Sequence, residues 1–181
     1  MTPSDVRLRT LPTADLSPTE LRDLRRFLDT AFDSFGDDDW SHSLGGVHVL
    51  ATVDGELAGH AAVVGRQLIA DGITLRTGYV EAVATAASFR RRGVGTTVMA
   101  EAERLVTGGA ELGALAASAT GAALYTARGW LRWTGPTAAL TPDGVRETPH
   151  ESVFVLATPS TPVVLDPADR LVCDWRRGDL W

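Results

Sequence analysis

Two Asp-Gly pairs, Asp54-Gly55 and Asp71-Gly72, constrain the fold of this chain more than any other feature. Asp-Gly between apolar runs marks a tight hairpin turn. Both central residues there need the left-handed conformation, which Gly adopts freely and Asp tolerates. The flanking runs are VHVLATV (47–53), ELAGHAAVVGRQLIA (56–70) and ITLRTGYVEAVATA (73–86). Three strands in antiparallel series are therefore expected. The character then changes. A Gly-rich basic loop, RRRGVG (90–95), leads into a helical stretch to about Val106. Ala110–Ser118 reads as a short apolar strand, Gly121–Arg128 as a short helix and Trp130–Leu140 as a strand. Residues 141–150 read as a loop, 152–158 as a strand, and 170–181 as a tail with an apolar start and a polar end.

The first 46 residues add a strand and helices. Residues 5–11 alternate apolar and charged, the pattern of a half-buried strand. Ser17-Pro18-Thr19-Glu20 carries a helix-start signature: a capping serine, a proline suited to the first turn, and a glutamate at the capping-box position. Leu21, Leu24, Phe27, Leu28 and Phe32 then form an apolar stripe. An acidic loop follows (33–40), in which Asp37 or Asp38 is expected to cap a second short helix ending at Gly45-Gly46. Hairpins followed by a β-α-β crossover predict an α/β (α+β) fold with a mixed, mostly antiparallel sheet flanked by helices.

The 181 residues suit a single domain, with 44% hydrophobic and 22% charged residues. The net charge of −6 disfavours nucleic acid as a partner. No apolar run is long enough to span a membrane, and the start MTPSDVRLRT lacks the apolar stretch of a signal peptide, so a cytoplasmic location is expected. Cys173 is the one cysteine, which excludes an internal disulfide and a cysteine-built zinc site. The four histidines lack metal-ligand spacing, so no metal is expected. All 17 basic residues are arginine, which excludes lysine Schiff-base chemistry.

Within the loop, Arg90, Arg91 and Arg92 precede Gly93, Val94 and Gly95. Glycines permit unusual backbone angles, and successive N–H groups at a helix start form an anion nest. A pyrophosphate cradle is one reading, and a turn with a solvated basic run is the other. It is neither a Rossmann fingerprint nor a P-loop, because the spacing and the Gly-Lys-Ser/Thr are missing.

Arg-x-x-Gly-x-Gly between a strand and a helix resembles the coenzyme A pyrophosphate signature of the GNAT N-acetyltransferase superfamily. Further blocks are Trp40-x-His42-x-Leu44-Gly45-Gly46, GYVEAVA (78–84), LYTARGW (124–130), WTGPT (133–137) and CDWRRGDLW (173–181). Together they resemble the aminoglycoside 2'-N-acetyltransferases over nearly the whole chain. The C-terminal block is the most specific of them. The resemblance implies a GNAT fold with a V-shaped cleft for acetyl-CoA, a single domain over 1–181, and a homodimer.

It also implies roles for individual residues. Arg90–Gly95 would hold the pyrophosphate, and backbone groups of Val83, Ala84 and Thr85 the pantetheine arm. An attacking amine must shed a proton, and Glu81, a carboxylate in an apolar strand, is the implied general base through water. Without the resemblance, Glu81 reads equally as a strand residue facing solvent. Tyr125 is the implied general acid for the sulfur leaving group; taken alone it reads as core. Tyr79 reads as packing, and Cys173 as a small buried hydrophobe rather than a nucleophile.

A small cationic aminosugar needs carboxylates around it. Candidates for the acceptor side are Asp33, Asp39, Glu81, Ala82, Ala116 (through its backbone), Glu151, Asp179 and Trp181. Asp33 and Ser34 compete for one position, and Glu151 aligns where relatives carry an aspartate. Leu180-Trp181 is expected to dock rather than fray, holding the α-carboxylate of Trp181 inside the protein with Asp179 beside it. The expected chemistry is direct acetyl transfer within a ternary complex to the 2'-amine of an aminoglycoside. The alternatives are another small amine (a cell-wall precursor, a polyamine or a mycothiol-pathway intermediate) and a coenzyme-binding regulator without turnover.

Overall fold

The computed structural model describes residues 6–181. The chain divides into two compact units. One comprises Met1–Val64 and Val80–Arg104, the other Gly65–Tyr79 and Leu105–Trp181. The long strands β3 (Glu56–Ala70) and β4 (Ile73–Thr85) contribute segments to both.

In the first unit, β1 (Arg7–Pro12) pairs antiparallel with β2 (Val47–Val53), which pairs antiparallel with β3. β1 alternates in sequence but is exposed along nearly its whole length, because among the described residues it pairs with β2 alone. The expected half-buried strand is thus an exposed edge, and Asp5 lies outside the described residues. α1 (Pro18–Ala31) starts as its sequence requires. Ser17 Oγ accepts from Glu20 N, and Glu20 Oε2 accepts from Ser17 N. The stripe buries Leu24 and Leu28 against Leu16, Leu50 and Ala84. α2 (Asp37–Ser43) is capped by Gly36, not by Asp37 or Asp38. The chain is already helical at Asp37, and Asp39 supplies the carboxylate that accepts from Gly36 N at 2.7 Å. Gly59 lets α3 (Val94–Gly109) lie close on β3, since a Cβ there would sit 2.6 Å from Val94 Cγ1.

The second unit orders its strands as β6 (Leu131–Arg132), β9 (Val153–Ala157), β5 (Leu112–Ala116), β4, β3, β10 (Leu171–Cys173), β7 (Thr137–Thr141) and β8 (Gly144–Glu147). β5 (Leu112–Ala116) runs parallel to β4, and this pairing covers only Thr77 to Tyr79. β5 pairs antiparallel with β9 (Val153–Ala157), and α4 (Ala122–Ala127) follows β5 in the chain. Trp130–Leu140 is not one strand. It is β6 (Leu131–Arg132) and β7 (Thr137–Thr141), separated by residues 133–136. That gap has a packing cause: a Cβ on Gly135 would sit 2.1 Å from Asp169 O, and Thr134 N and Gly135 N both donate to Pro167 O. The expected loop 141–150 contains a further strand, β8 (Gly144–Glu147), which turns back on β7. β10 (Leu171–Cys173) lies between β3 and β7.

Candidate active site

In the first unit, the candidate residues follow one another from strand to helix. β4 carries Glu81, Ala82, Val83, Ala84 and Thr85; Ala84 is buried and the rest are half-buried. Ala82 has φ +49°, a left-handed step that non-glycine residues rarely take. Its carbonyl accepts from His60 Nδ1 at 2.8 Å. A short 3-10 turn (Ala87–Phe89) then leads to Arg90, Arg91 and Arg92, all exposed. Arg91 and Gly93 both take positive φ, +59° and +83°. These two steps turn the chain into α3, whose first helical bond is Thr97 N to Gly93 O. The amides of Val94 and Gly95 therefore lie in the first turn, where a helix leaves N–H groups without internal partners. The Val94 side chain is buried, so only its backbone can reach a ligand. Exposed guanidinium groups beside first-turn amides suit a pyrophosphate.

The acidic segment of the same unit is organised by Arg25. Its guanidinium bonds Asp29 at 2.7 Å and Asp37 at 3.0 Å, and lies over the rings of Phe35 and Trp40. Asp33 is exposed, and Asp39 is half-buried with one oxygen committed to Gly36 N. Arg25 was missed in the sequence, where an arginine on a helix face reads as solvated charge.

In the second unit, Tyr125 is buried on α4 with its ring 5.9 Å from Phe154 and 6.3 Å from Trp130. Burial pushes its phenol up to about 12, so it holds its proton at neutral pH. Ala116 ends β5 and is exposed, in register with Val153. Glu151 is half-buried, and burial together with the nearby Asp179 charge raises its pKa. Those two carboxylates are thus brought together. A cavity of about 570 Å³ is lined by Glu151, Trp133, Pro149 and His150.

The tail is docked. Trp181 is 2% exposed and its indole N–H donates to Thr148 Oγ1 at 2.8 Å. Arg176 donates to the carbonyl of Asp179 at 2.7 Å and to the main-chain oxygen of Trp181 at 2.6 Å. Tyr79 is fully buried, with the Arg66 guanidinium 4.7 Å and the Arg176 guanidinium 5.5 Å from its ring centre. Arg66 is held by Asp174 at 2.8 Å. Cys173 is fully buried and its thiol is pushed up by burial, which removes it as a nucleophile. Arg176 and Thr148 were not singled out by sequence; nothing local distinguishes them from surface residues.

Among the described residues no group of three or more His, Cys, Asp or Glu could hold a metal ion, and no helix is long and apolar enough to cross a membrane.

Comparison with known proteins yields three findings. The family described as "Acetyltransferase (GNAT) domain" matches residues 14–132. The "Aminoglycoside 2'-N-acetyltransferase" of Mycolicibacterium fortuitum is 44% identical over 177 residues, covering 96% of this chain and 91% of that protein. Among solved structures, Escherichia coli ElaA superposes with a TM-score of 0.58 at 18% identity, covering 83% of this chain and 98% of that one. An acyl-CoA N-acyltransferase from Pseudomonas aeruginosa gives 0.59 at 17% identity, covering 84% and 100%.

Proposed function

We propose, for a chain that belongs to the GNAT acetyltransferases and within them to the aminoglycoside 2'-N-acetyltransferase family, that its acceptor is the 2'-amine of an aminoglycoside. The chain is an acetyltransferase, and its family draws on acetyl-CoA. The observation that carries the acceptor is the relative at 44% identity, which spans 96% of the chain. The paired carboxylates Glu151 and Asp179 support it, since like charges held together attract a polycation. In this reading 1–181 is one GNAT domain. Its tail 170–181 completes the acceptor pocket, with Asp33, Asp39, Ala82 and Ala116 lining it and Trp181 as its docked anchor. The reading includes a cytoplasmic homodimer, which sedimentation velocity and cell fractionation test.

Bound acetyl-CoA supplies the acetyl thioester. The residues do the rest. Arg90, Arg91 and Arg92 and the amides of Gly93, Val94 and Gly95 neutralise and orient the pyrophosphate. Backbone groups of Val83, Ala84 and Thr85 hold the pantetheine arm. Glu81 takes a proton from the acceptor ammonium through a water, so that a neutral amine attacks. As the C–S bond breaks, Tyr125, protonated at neutral pH, gives its phenolic proton to the departing sulfur; the new amide nitrogen sheds its second proton to water, from which the phenol is restored. Each such acid–base contribution is typically worth about 10²–10⁴ in rate.

The test is coenzyme A release with kanamycin B and kanamycin A, which carry an amine and a hydroxyl at the 2' position. Turnover with B alone supports the assignment. Turnover with both means that another amine is acetylated. Turnover with neither, alongside acetyl-CoA binding, overturns the acceptor and returns the search to other small amines.

A further inference from the structure

Two of the four histidines, His48 on β2 and His60 on β3, are fully buried side by side in the first unit. His48 Nδ1 lies 3.0 Å from His60 Nε2. The outer nitrogens also have partners: His60 Nδ1 with Ala82 O at 2.8 Å, and His48 Nε2 with Thr13 Oγ1 at 2.7 Å. Thr13 Oγ1 in turn accepts from Gly45 N at 3.0 Å.

The Ala82 end fixes the direction of this chain; the Thr13 hydroxyl, which also has Gly46 O at 3.3 Å, does not. A carbonyl only accepts, so His60 Nδ1 carries the hydrogen and donates to Ala82 O. A neutral ring then has a bare Nε2, which accepts from His48 Nδ1–H. The bare Nε2 of His48 accepts from the Thr13 hydroxyl. Each histidine is an Nδ1–H tautomer, and each polar atom along the line is satisfied. Burial lowers both pKa values, to about 4 for His48 and about 3 for His60, which agrees with neutral rings. The chain ends on a carbonyl, which cannot pass a proton onward. Its role is to hold, not to conduct.

What it holds is the left-handed step at Ala82. A non-glycine residue takes such a φ at a cost in backbone strain and persists there only where its surroundings impose it. Ladder pairing of β4 with β5 has ended at Tyr79, three residues before Ala82. We propose that the His48–His60 pair is a positioning device for acetyl transfer: by clamping the Ala82 carbonyl it holds the step that aims Glu81 and the backbone groups of Val83–Thr85. The part concerning Glu81 rests on its role as base; the clamp does not.

Two measurements test this. First, long-range proton–nitrogen correlation spectra of the wild-type protein, with labelled histidine, read the tautomers directly. Both buried rings should be Nδ1–H. An Nε2–H or charged His60 at neutral pH overturns the proposal. Second, His60→Leu and His60→Asn are compared at temperatures where circular dichroism shows both folded. The amide of His60→Asn offers an N–H where Nδ1–H stood; His60→Leu offers none. Because small misplacements of reacting groups are costly, kcat per folded molecule should fall on the order of tenfold to a hundredfold in His60→Leu. His60→Asn should recover most of it, and the acid limb of the pH–rate profile should shift in His60→Leu alone. Equal kcat and equal limbs in the two variants mean mere packing and overturn the proposal. Should neither variant fold, the tautomers decide. Full turnover in Glu81→Gln would instead remove the base assignment while leaving the tautomer result standing, so the two failures are separable.

Discussion

Acidification below pH 6.5 should destabilise this protein through His48 and His60. Both rings are fully buried, and their folded pKa values of about 4 and about 3 lie below the ordinary histidine value of 6.5. The unfolded chain therefore binds more protons than the native one below pH 6.5. The stabilisation is whole above that pH and drains away as pH falls toward the folded values. Each histidine costs about 1.4 kcal/mol per pH unit in this window. Because the unfolded rings are only half protonated at pH 6.5, the pair removes about 3 kcal/mol from pH 6.5 to 5, a large share of the roughly 5–15 kcal/mol typical of a domain. Glu20, held down to about 2 by Ser17 and Arg9, acts only below the ordinary carboxylate range. Glu151, whose pKa is raised, acts in the opposite sense and trims the slope. The assay is urea unfolding at pH 7.5, 6.5, 5.75 and 5. With m about 2 kcal/mol per molar, the midpoint should fall by about 1.5 M between pH 6.5 and 5. In His60→Asn one titrating group is gone, so the fall should be about half as large. A wild-type midpoint that stays level across this range would refute the neutral buried pair, and with it the tautomer assignment.

Glu81→Ala should lower kcat by about 10²–10⁴ while leaving the acetyl-CoA dissociation constant within about twofold, read by steady-state kinetics and calorimetry. Tyr125→Phe keeps the ring contacts with Phe154 and Trp130 and should lower kcat with little change in Tm; unchanged turnover would return Tyr125 to a packing role. Deleting Asp179–Trp181 should raise the acceptor KM far more than that of acetyl-CoA, because it removes a carboxylate beside Glu151 and the indole bonded to Thr148. Gly59→Ala puts a Cβ 2.6 Å from Val94 Cγ1, so the start of α3 must shift. A stability loss of about 1–3 kcal/mol and weaker acetyl-CoA binding are expected, by melting and by calorimetry.

The local signals were strong wherever a short stretch of chain decides its own conformation. Asp54-Gly55 and Asp71-Gly72 set the ends of β2, β3 and β4 to within a residue, because a two-residue turn leaves no slack in register. Ser17 and Glu20 set the start of α1 by reciprocal bonds three residues apart. Arg90–Gly95 announced a turn into a helix, and the left-handed Gly93 is the backbone reason. The motif residues Glu81, Tyr125, Asp179 and Trp181 could be nominated because their blocks resemble a family.

Other features depended on partners distant in sequence, and only the tertiary structure decided them. Asp37 looked like a helix cap, but Arg25 from α1 claims it and Gly36 caps instead. Residues 133–136 interrupt a strand because the 167–169 backbone packs against Gly135. β8 forms because β7 offers it an edge, which no local pattern in 144–147 shows. His48 and His60, twelve residues apart, become one hydrogen-bonded unit because β2 and β3 pair. Ala82, 22 residues beyond His60, takes its left-handed step where a histidine nitrogen meets its carbonyl. A sequence specifies conformations enforced by a few neighbouring bonds; pairing across the fold decides which polar groups meet, and so which residues the site depends on.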